Sequence, residues 1–409
     1  MKRILILILV LCFFCAPAAF VFAAVDPIEI SCMEDLYLLA EHPEGYFILT
    51  DDIYFDPDCE WVPPVFRGRL NGNGYTIYNA SPSSLCPETR TVYDGNYKEY
   101  DGQFAGLFGI LDGAFVEELN LVGATVQVQD SDACIFAGLL TGLMENNAIV
   151  RNCSIQGFCD VSTSGPCFGV GGIAGYGSGQ IDWCSADTVL VCTDTDREYK
   201  DEQFMGGAYA AGFIDLIEND IRIDGYDSDH GYVHDGGLVG MYIIYPRGTS
   251  YAGGVVSNHV SGRIRFFEDN RDRRAYCAPY IGEVLQWTYE WGGCTEDFER
   301  DEVFVYDEDL RPCVHGQASW DENVTEADYG VQGYTDITCR ECGYAFRTAY
   351  RAPLKQEIRV LEEEPVAEAA AAAAEANAKQ GVDPKAIIGA CIGGAILLAV
   401  LILYGKRKS

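Results

Sequence analysis

The amino-acid sequence predicts an all-β fold built as a right-handed parallel β-helix, and three observations predict it. A glycine-rich apolar motif recurs, as "FAGLFGIL" from Phe104, "FAGLLTGL" from Phe136, "FGVGGIAG" from Phe168, "FMGGAYAAG" from Phe204 and "HDGGLVGMYII" from His234. Its phenylalanines are 32, 32 and 36 residues apart, and Gly206 to Gly236 adds a step of 30, a near-constant period of the kind that marks stacked repeats. The region from Ile28 to about Arg300 is rich in Gly, Val, Ile, Tyr and Phe, with short alternating runs such as "TVQV" and "RIRF" that read as strands between turns. A β-sandwich, the main rival, has no need of a constant period.

The elements follow in chain order. Residues 1–24 read as a secretory signal peptide: Lys2 and Arg3 precede the apolar run "ILILILVLCFFC", and a small-residue stretch ends at Ala23 and Ala24. Residues 25–305 are the β-helix. A capping helix opens it, with Ser31 and Glu34 as a capping box ahead of Leu36, Leu38 and Leu39. That helix is expected to cover the open end, where unpaired strand edges would invite aggregation. Coils of about 33 residues then stack ~4.8 Å apart, so equivalent positions meet. Gly106, Gly138, Gly171, Gly206 and Gly236 are expected to share one corner, where the missing Cβ permits a sharp turn. Phe104, Phe136, Phe168 and Phe204 are expected to form a ladder. The pairs Cys134 and Cys167, Cys159 and Cys192, and Cys153 and Cys184 are each about one coil apart, and at least two of them should be neighbours.

Residues 306–356 are a small Cys/His ribbon-like module. Residues 357–385 are an Ala/Glu-rich stalk with no core-forming residues of any size. Residues 386–404, "AIIGACIGGAILLAVLILY", carry no charge over 19 residues, close to the ~20 that cross a bilayer as a helix. Residues 405–409 hold Lys406, Arg407 and Lys408, which place a short tail in the cytoplasm and the ectodomain outside, as a single-pass type I protein.

The charge balance excludes one class of partner. Of 28 Lys plus Arg, five lie in the signal or the tail, leaving 23 against 62 Asp plus Glu, a formal −39 outside the membrane. Such a field repels nucleic acid, and no basic patch suits phosphate. Fourteen of the 17 cysteines fall outside the two apolar segments, which fits an oxidising, extracellular setting.

"GGLVG" at Gly236, "GGIAG" at Gly171 and "GLFG" at Gly106 resemble the GLUG motif of bacterial cell-surface proteins. The opening from "ISCMEDLYLLAEHPEGYFILTDDIYF" to "NGNGYTIYN" resembles the leader that precedes such repeats. The resemblance covers residues 28 to 265. It implies a β-helical repeat, as in IgA-cleaving peptidases and adhesin-like proteins, on the surface of a Gram-positive bacterium. It implies no activity, because fold alone does not fix function.

The chemistry in the residues is sparse. A zinc peptidase needs H-E-x-x-H; His230 and His234 stand four apart in "HGYVH", but no glutamate follows His230, so that domain is absent from this chain. Asp224, Asp227, Asp229, His230, His234 and Asp235 gather in one segment, whose oxygen ligands would suit calcium, although the EF-hand pattern fails and a solvated acidic loop is the preferred reading. The sharper set is Cys313, His315, Cys339 and Cys342: C-x-H, then a C-x-x-C-G knuckle, the donor set of a closed, structural zinc site, with a disulfide as the rival. The segment also resembles a small module common in surface proteins of Gram-positive bacteria, matched by Trp320, Asp321, Tyr334, Cys339, Cys342 and Gly343. No catalytic residue is identified. Two functions are carried forward. One is a membrane-anchored surface scaffold or adhesin-like protein binding an extracellular protein or glycan. The other is a polysaccharide lyase or hydrolase, which as a glycosidase would need two carboxylates at a set spacing.

Overall fold

The computed structural model describes residues 26–354 apart from 57, 95–97, 195–201, 218, 228–231, 237–238, 245–254, 257, 267–276, 279–280, 287–304, 308–318 and 341–344. The signal-like segment, the stalk, the apolar run 386–404 and the tail lie outside the described residues. So do the side chains of the acidic segment from Asp224 to Asp235. Among the described residues, no helix is long and apolar enough to cross a membrane.

The glycine repeat folds as a parallel β-solenoid. Each coil adds one strand to each of three stacked sheets. Cys134–Gly138 extends the first sheet, Thr141–Arg151 the second and Ser154–Thr163 the third, and Cys167–Gly171, Ala174–Asp182 and Ser185–Asp194 repeat the order one coil on. The pairing between coils is parallel. One exception is the entry strand Arg90–Tyr93, which runs antiparallel to Glu99–Ala105.

The corner glycines stack. Gly138 pairs with Gly171, Gly171 with Gly206 and Gly206 with Gly236. The reason is close backbone approach: a Cβ on Gly171 would lie 1.8 Å from the Ala174 carbonyl oxygen, and one on Gly106 would lie 2.6 Å from the Gly138 carbonyl oxygen.

At this corner the chain buries both of its faces. Cys134–Gly138 and Cys167–Gly171 are buried at every position. Ile135, Ala137, Phe168 and Val170 fill the main core of the tube. Phe104, Cys134, Phe136, Cys167, Tyr176 and Phe204 fill a second core on the other side. Burial on two faces explains the continuous apolar runs where a half-exposed strand would alternate.

The phenylalanine ladder is therefore corrected at one rung. Phe136 pairs with Phe104 and with Gly169, and Gly169 pairs with Phe204, while Phe168 pairs with Gln203 and points into the main core. Gly169 leaves room for the rings of Phe136 and Phe204 to close to 6.1 Å across the intervening coil. The cysteines divide similarly. Cys153 and Cys184 keep the offset of the Ser154–Ser185 pair, and the Cys153 amide donates to Cys184 Sγ at 3.5 Å. Cys134 and Cys167 keep the offset of the Phe136–Gly169 pair. Cys159 instead faces Leu190 and Cys192 faces Val161, two places out of register.

A second corner, which the glycines do not announce, uses residues with positive φ. Glu118 (53°), Asn152 (51°) and Trp183 (50°) occupy equivalent places before the third sheet. The next position points inward, and its column runs from Leu119 through Cys153 and Cys184 to Asn219 and Asn258. The two asparagines are buried and fully occupied. Asn219 Nδ2 donates to the Ile181 carbonyl and to Asn258 Oδ1, Asn219 Oδ1 accepts from the Cys184 amide, and Asn258 Nδ2 donates to the Leu216 carbonyl, all at 2.9 Å. Buried amides are tolerated because each finds partners on neighbouring coils.

The N-terminal helix is short and split, Met33–Leu36 then Leu38–Glu41, with Leu36 and Leu39 buried in the main core. Its start is held by Asp35 rather than Glu34: the Ser31 amide and hydroxyl both donate to Asp35 Oδ2, at 2.9 and 3.0 Å.

One buried acid gives a pH-dependent expectation. Asp160 is 2% exposed on the outer side of the third sheet, with Gln129 Nε2 donating to it at 3.0 Å. Burial pushes its pKa from near 3.8 up to about 7, against the smaller opposing pull of Gln129. The native state therefore holds a proton that the unfolded chain releases near pH 4. The stabilisation is fully present below that pH and is lost as pH rises through about 7. Asp160→Asn should flatten this slope, and at pH 8 the variant should unfold at higher denaturant than the wild type.

Candidate ligand-binding cleft

After the solenoid, Trp320–Thr325, Gly333–Cys339 and Ala345–Arg351 form a three-stranded antiparallel sheet. It belongs to the same compact unit as the solenoid. The docking is specific. Asn79, in the left-handed region at φ 60°, donates from Nδ2 to the Tyr350 carbonyl and accepts at Oδ1 from the Tyr350 amide, both at 2.8 Å. Its amide thus imitates a neighbouring strand. Tyr54, Tyr78 and Tyr350 continue the contact as rings, with centroids 4.5 and 5.3 Å apart, and Gln332 Nε2 donates to the Tyr54 hydroxyl at 2.8 Å. Asn79→Ala removes both bonds and leaves half-buried backbone groups unpaired, a loss of about 1–3 kcal/mol. Hydrogen exchange in Ala345–Arg351 should then accelerate, while exchange in the strand Ser154–Thr163 should not.

Between the returning strand and the outer face of the third sheet lies a cleft of about 110 Å³. Its floor is the outward file Gln156, Asp187 and Arg222, which are paired in register on successive coils, with Thr125 beside them. Arg347 and Thr348 form the opposite wall. One end is closed at Gly123, where an added Cβ would meet the Tyr350 ring at 3.0 Å. Arg347 is held in place: it bonds Asp336 at 2.9 and 3.4 Å and lies over the Tyr334 ring, 3.4 Å from its centroid. Arg222 is looser, 70% exposed and 3.5 Å from Asp187, itself 54% exposed.

The outer face of the second sheet carries a different feature. Arg69 lies over the rings of Tyr46 and Phe115 at 5.0 and 5.1 Å, and Arg151 over those of Phe115 and Trp183 at 5.8 and 5.5 Å. Glu117 and Asp182 neutralise the two arginines. Each guanidinium lies over the rings of neighbouring coils, so the stripe is a cation–π ladder that ties coils together, with Trp183 still 50% exposed at its end.

Of the four residues expected to hold zinc, Cys339 is buried in the strand Gly333–Cys339, opposite Trp320. Cys313, His315 and Cys342 lie outside the described residues. Among the described residues no group of three or more Cys, His, Asp or Glu is placed to hold a metal ion. The cleft was not anticipated from sequence. Its floor and its opposite wall come from residues 125 to 223 positions apart, and no motif marks them.

No described protein family and no curated protein matches the chain. Among solved structures, a Bacteroides ovatus protein provisionally assigned as an immunoglobulin A1 protease is similar at 16% identity and a TM-score of 0.33, over 63% of this chain and 84% of that one. A likeness at that level carries no argument about activity.

Proposed function

We propose that this chain is a membrane-anchored bacterial surface scaffold of the adhesin-like kind, whose solenoid presents a non-catalytic binding face to an extracellular protein or glycan. The observation that carries the reading is the make-up of the cleft. Among the described residues its lining holds one carboxylate, Asp187, and Arg222 stands beside it. Glycoside hydrolysis by the usual route needs two carboxylates flanking the bond. Hydrogen-bonding groups of both signs without such a pair suit recognition. The rest rests on sequence. The leader 1–24 directs export, the stalk 357–385 raises the solenoid from the bilayer, and the helix 386–404 anchors it, in a Gram-positive host, with the GLUG-like repeat as the scaffold. Cys313, His315, Cys339 and Cys342 hold a structural zinc in the returning module.

Two measurements test this. Protease added to intact cells should release the ectodomain and leave only the apolar span with part of the stalk; full protection would overturn the surface location. Elemental analysis of the purified chain should find about one zinc. A metal-free chain with those cysteines oxidised would replace the zinc by a disulfide and leave the binding reading standing.

A further inference from the structure

We infer that the cleft between the third sheet and the returning strand is a binding site for a single sugar ring at the end of a neutral glycan. This rests on the binding reading above and narrows it to a ligand class. Thr125, Gln156 and Thr348 line the cleft and are half-buried, and their side chains make no hydrogen bond among the described residues. Half-buried donors and acceptors left without protein partners mark a place for water or a polar ligand.

The charges select the ligand. Arg222 stands against Asp187 in the lining, and Arg347 is paired with Asp336 beside it, so each arginine of the lining has an acidic partner. Both arginines are already paired with carboxylates, so neither stands free for an anionic ligand. A polyhydroxylated ring needs donors and acceptors of both kinds. Asp187 can accept from two adjacent hydroxyls, Arg222 can donate to a third oxygen, and the Gln156 amide can do both. The size agrees: about 110 Å³ of space for water-sized groups holds a few waters, which one ring would displace, and is too small for a folded partner. Arg222 is 70% exposed, so a longer glycan would leave past that arginine.

The test uses the full-length chain in a detergent free of sugar headgroups. Saturation-transfer NMR is run with glucose, galactose, mannose, N-acetylglucosamine and N-acetylgalactosamine, and with glucuronate as the anionic arm. At least one neutral sugar should bind in the millimolar range, as single rings do when few contacts are made. Asp187→Ala and Gln156→Ala should each weaken it about tenfold or more, because a hydroxyl left unpaired loses its bond in full. Glu322→Ala, on an exposed strand of the returning sheet, should leave it unchanged, and both cleft variants should keep the wild-type melting temperature. Three results would overturn the inference: no neutral sugar binds, binding survives both cleft variants unchanged, or glucuronate binds more tightly than every neutral sugar. If the chain still retains a protein ligand in any of these cases, the scaffold reading stands and the sugar site alone is lost.

Discussion

Gly171→Ala should cost this protein about 3 kcal/mol or more and abolish cooperative unfolding of the central coils. A single methyl group is a small change, but at this corner it meets backbone. The new Cβ would lie 1.8 Å from the Ala174 carbonyl oxygen and 3.1 Å from the Ala210 amide nitrogen. Side-chain overpacking in a core costs about 1–3 kcal/mol because rotamers relieve part of it. Here relief requires opening the turn between Gly171 and Ala174 in the same coil, and Gly138 and Gly206 are stacked on either side of it. The defect should therefore spread to neighbouring coils, as in any architecture whose units stabilise one another. Gly74→Asn is the matched control. Gly74 has open space around it and a φ of 78° that asparagine tolerates, so thermal unfolding should shift little.

Phe136→Ala should destabilise by about 3–5 kcal/mol, the range for removing a buried aromatic ring. Phe136 is fully buried, with the Tyr176 ring 4.7 Å away and the Phe204 ring 6.1 Å away. Gly169, its register partner, contributes no side chain to fill the hole. Chemical denaturation should show a lower midpoint with an unchanged slope, the mark of lost stability in an intact fold.

The Phe168 rung shows how much of the fold the residues carry and where spacing alone misleads. The period was legible because glycines stack only where backbones touch. The face of each phenylalanine was also legible, though not from the spacing of phenylalanines. Phe104, Phe136 and Phe204 stand two residues before their corner glycine, and Phe168 stands three before Gly171. Alternation on a strand makes that single residue decisive. The same parity accounts for Cys159 and Cys192. Their spacing of 33 fits the coil at Gly138–Gly171, but the strands that hold them are offset by 31. Coil length varies from one side of the tube to the other, because loops absorb the difference.

The second corner was harder to read. Glu118, Asn152 and Trp183 share a left-handed backbone but no side-chain chemistry, so their column appears only once register is known. The cleft was not legible at all. Asn79 and Tyr350 are joined across 271 positions, and nothing local in either segment calls for the other. The expected zinc ligands are the reverse case: their spacing is plain in the sequence, and of the four only Cys339 falls among the described residues.

The central claim is that this solenoid binds without catalysis. Its most direct test is to immobilise the full-length chain, load it with a polysaccharide that it retains from an array of glycans and extracellular proteins, and follow the release of new reducing ends or unsaturated ends over many hours. The account predicts retention with no product above the rate of a protein-free control, and loss of retention in Asp187→Ala if the retained ligand is a neutral glycan. Steady product release that scales with the amount of protein would contradict it and make the chain an enzyme.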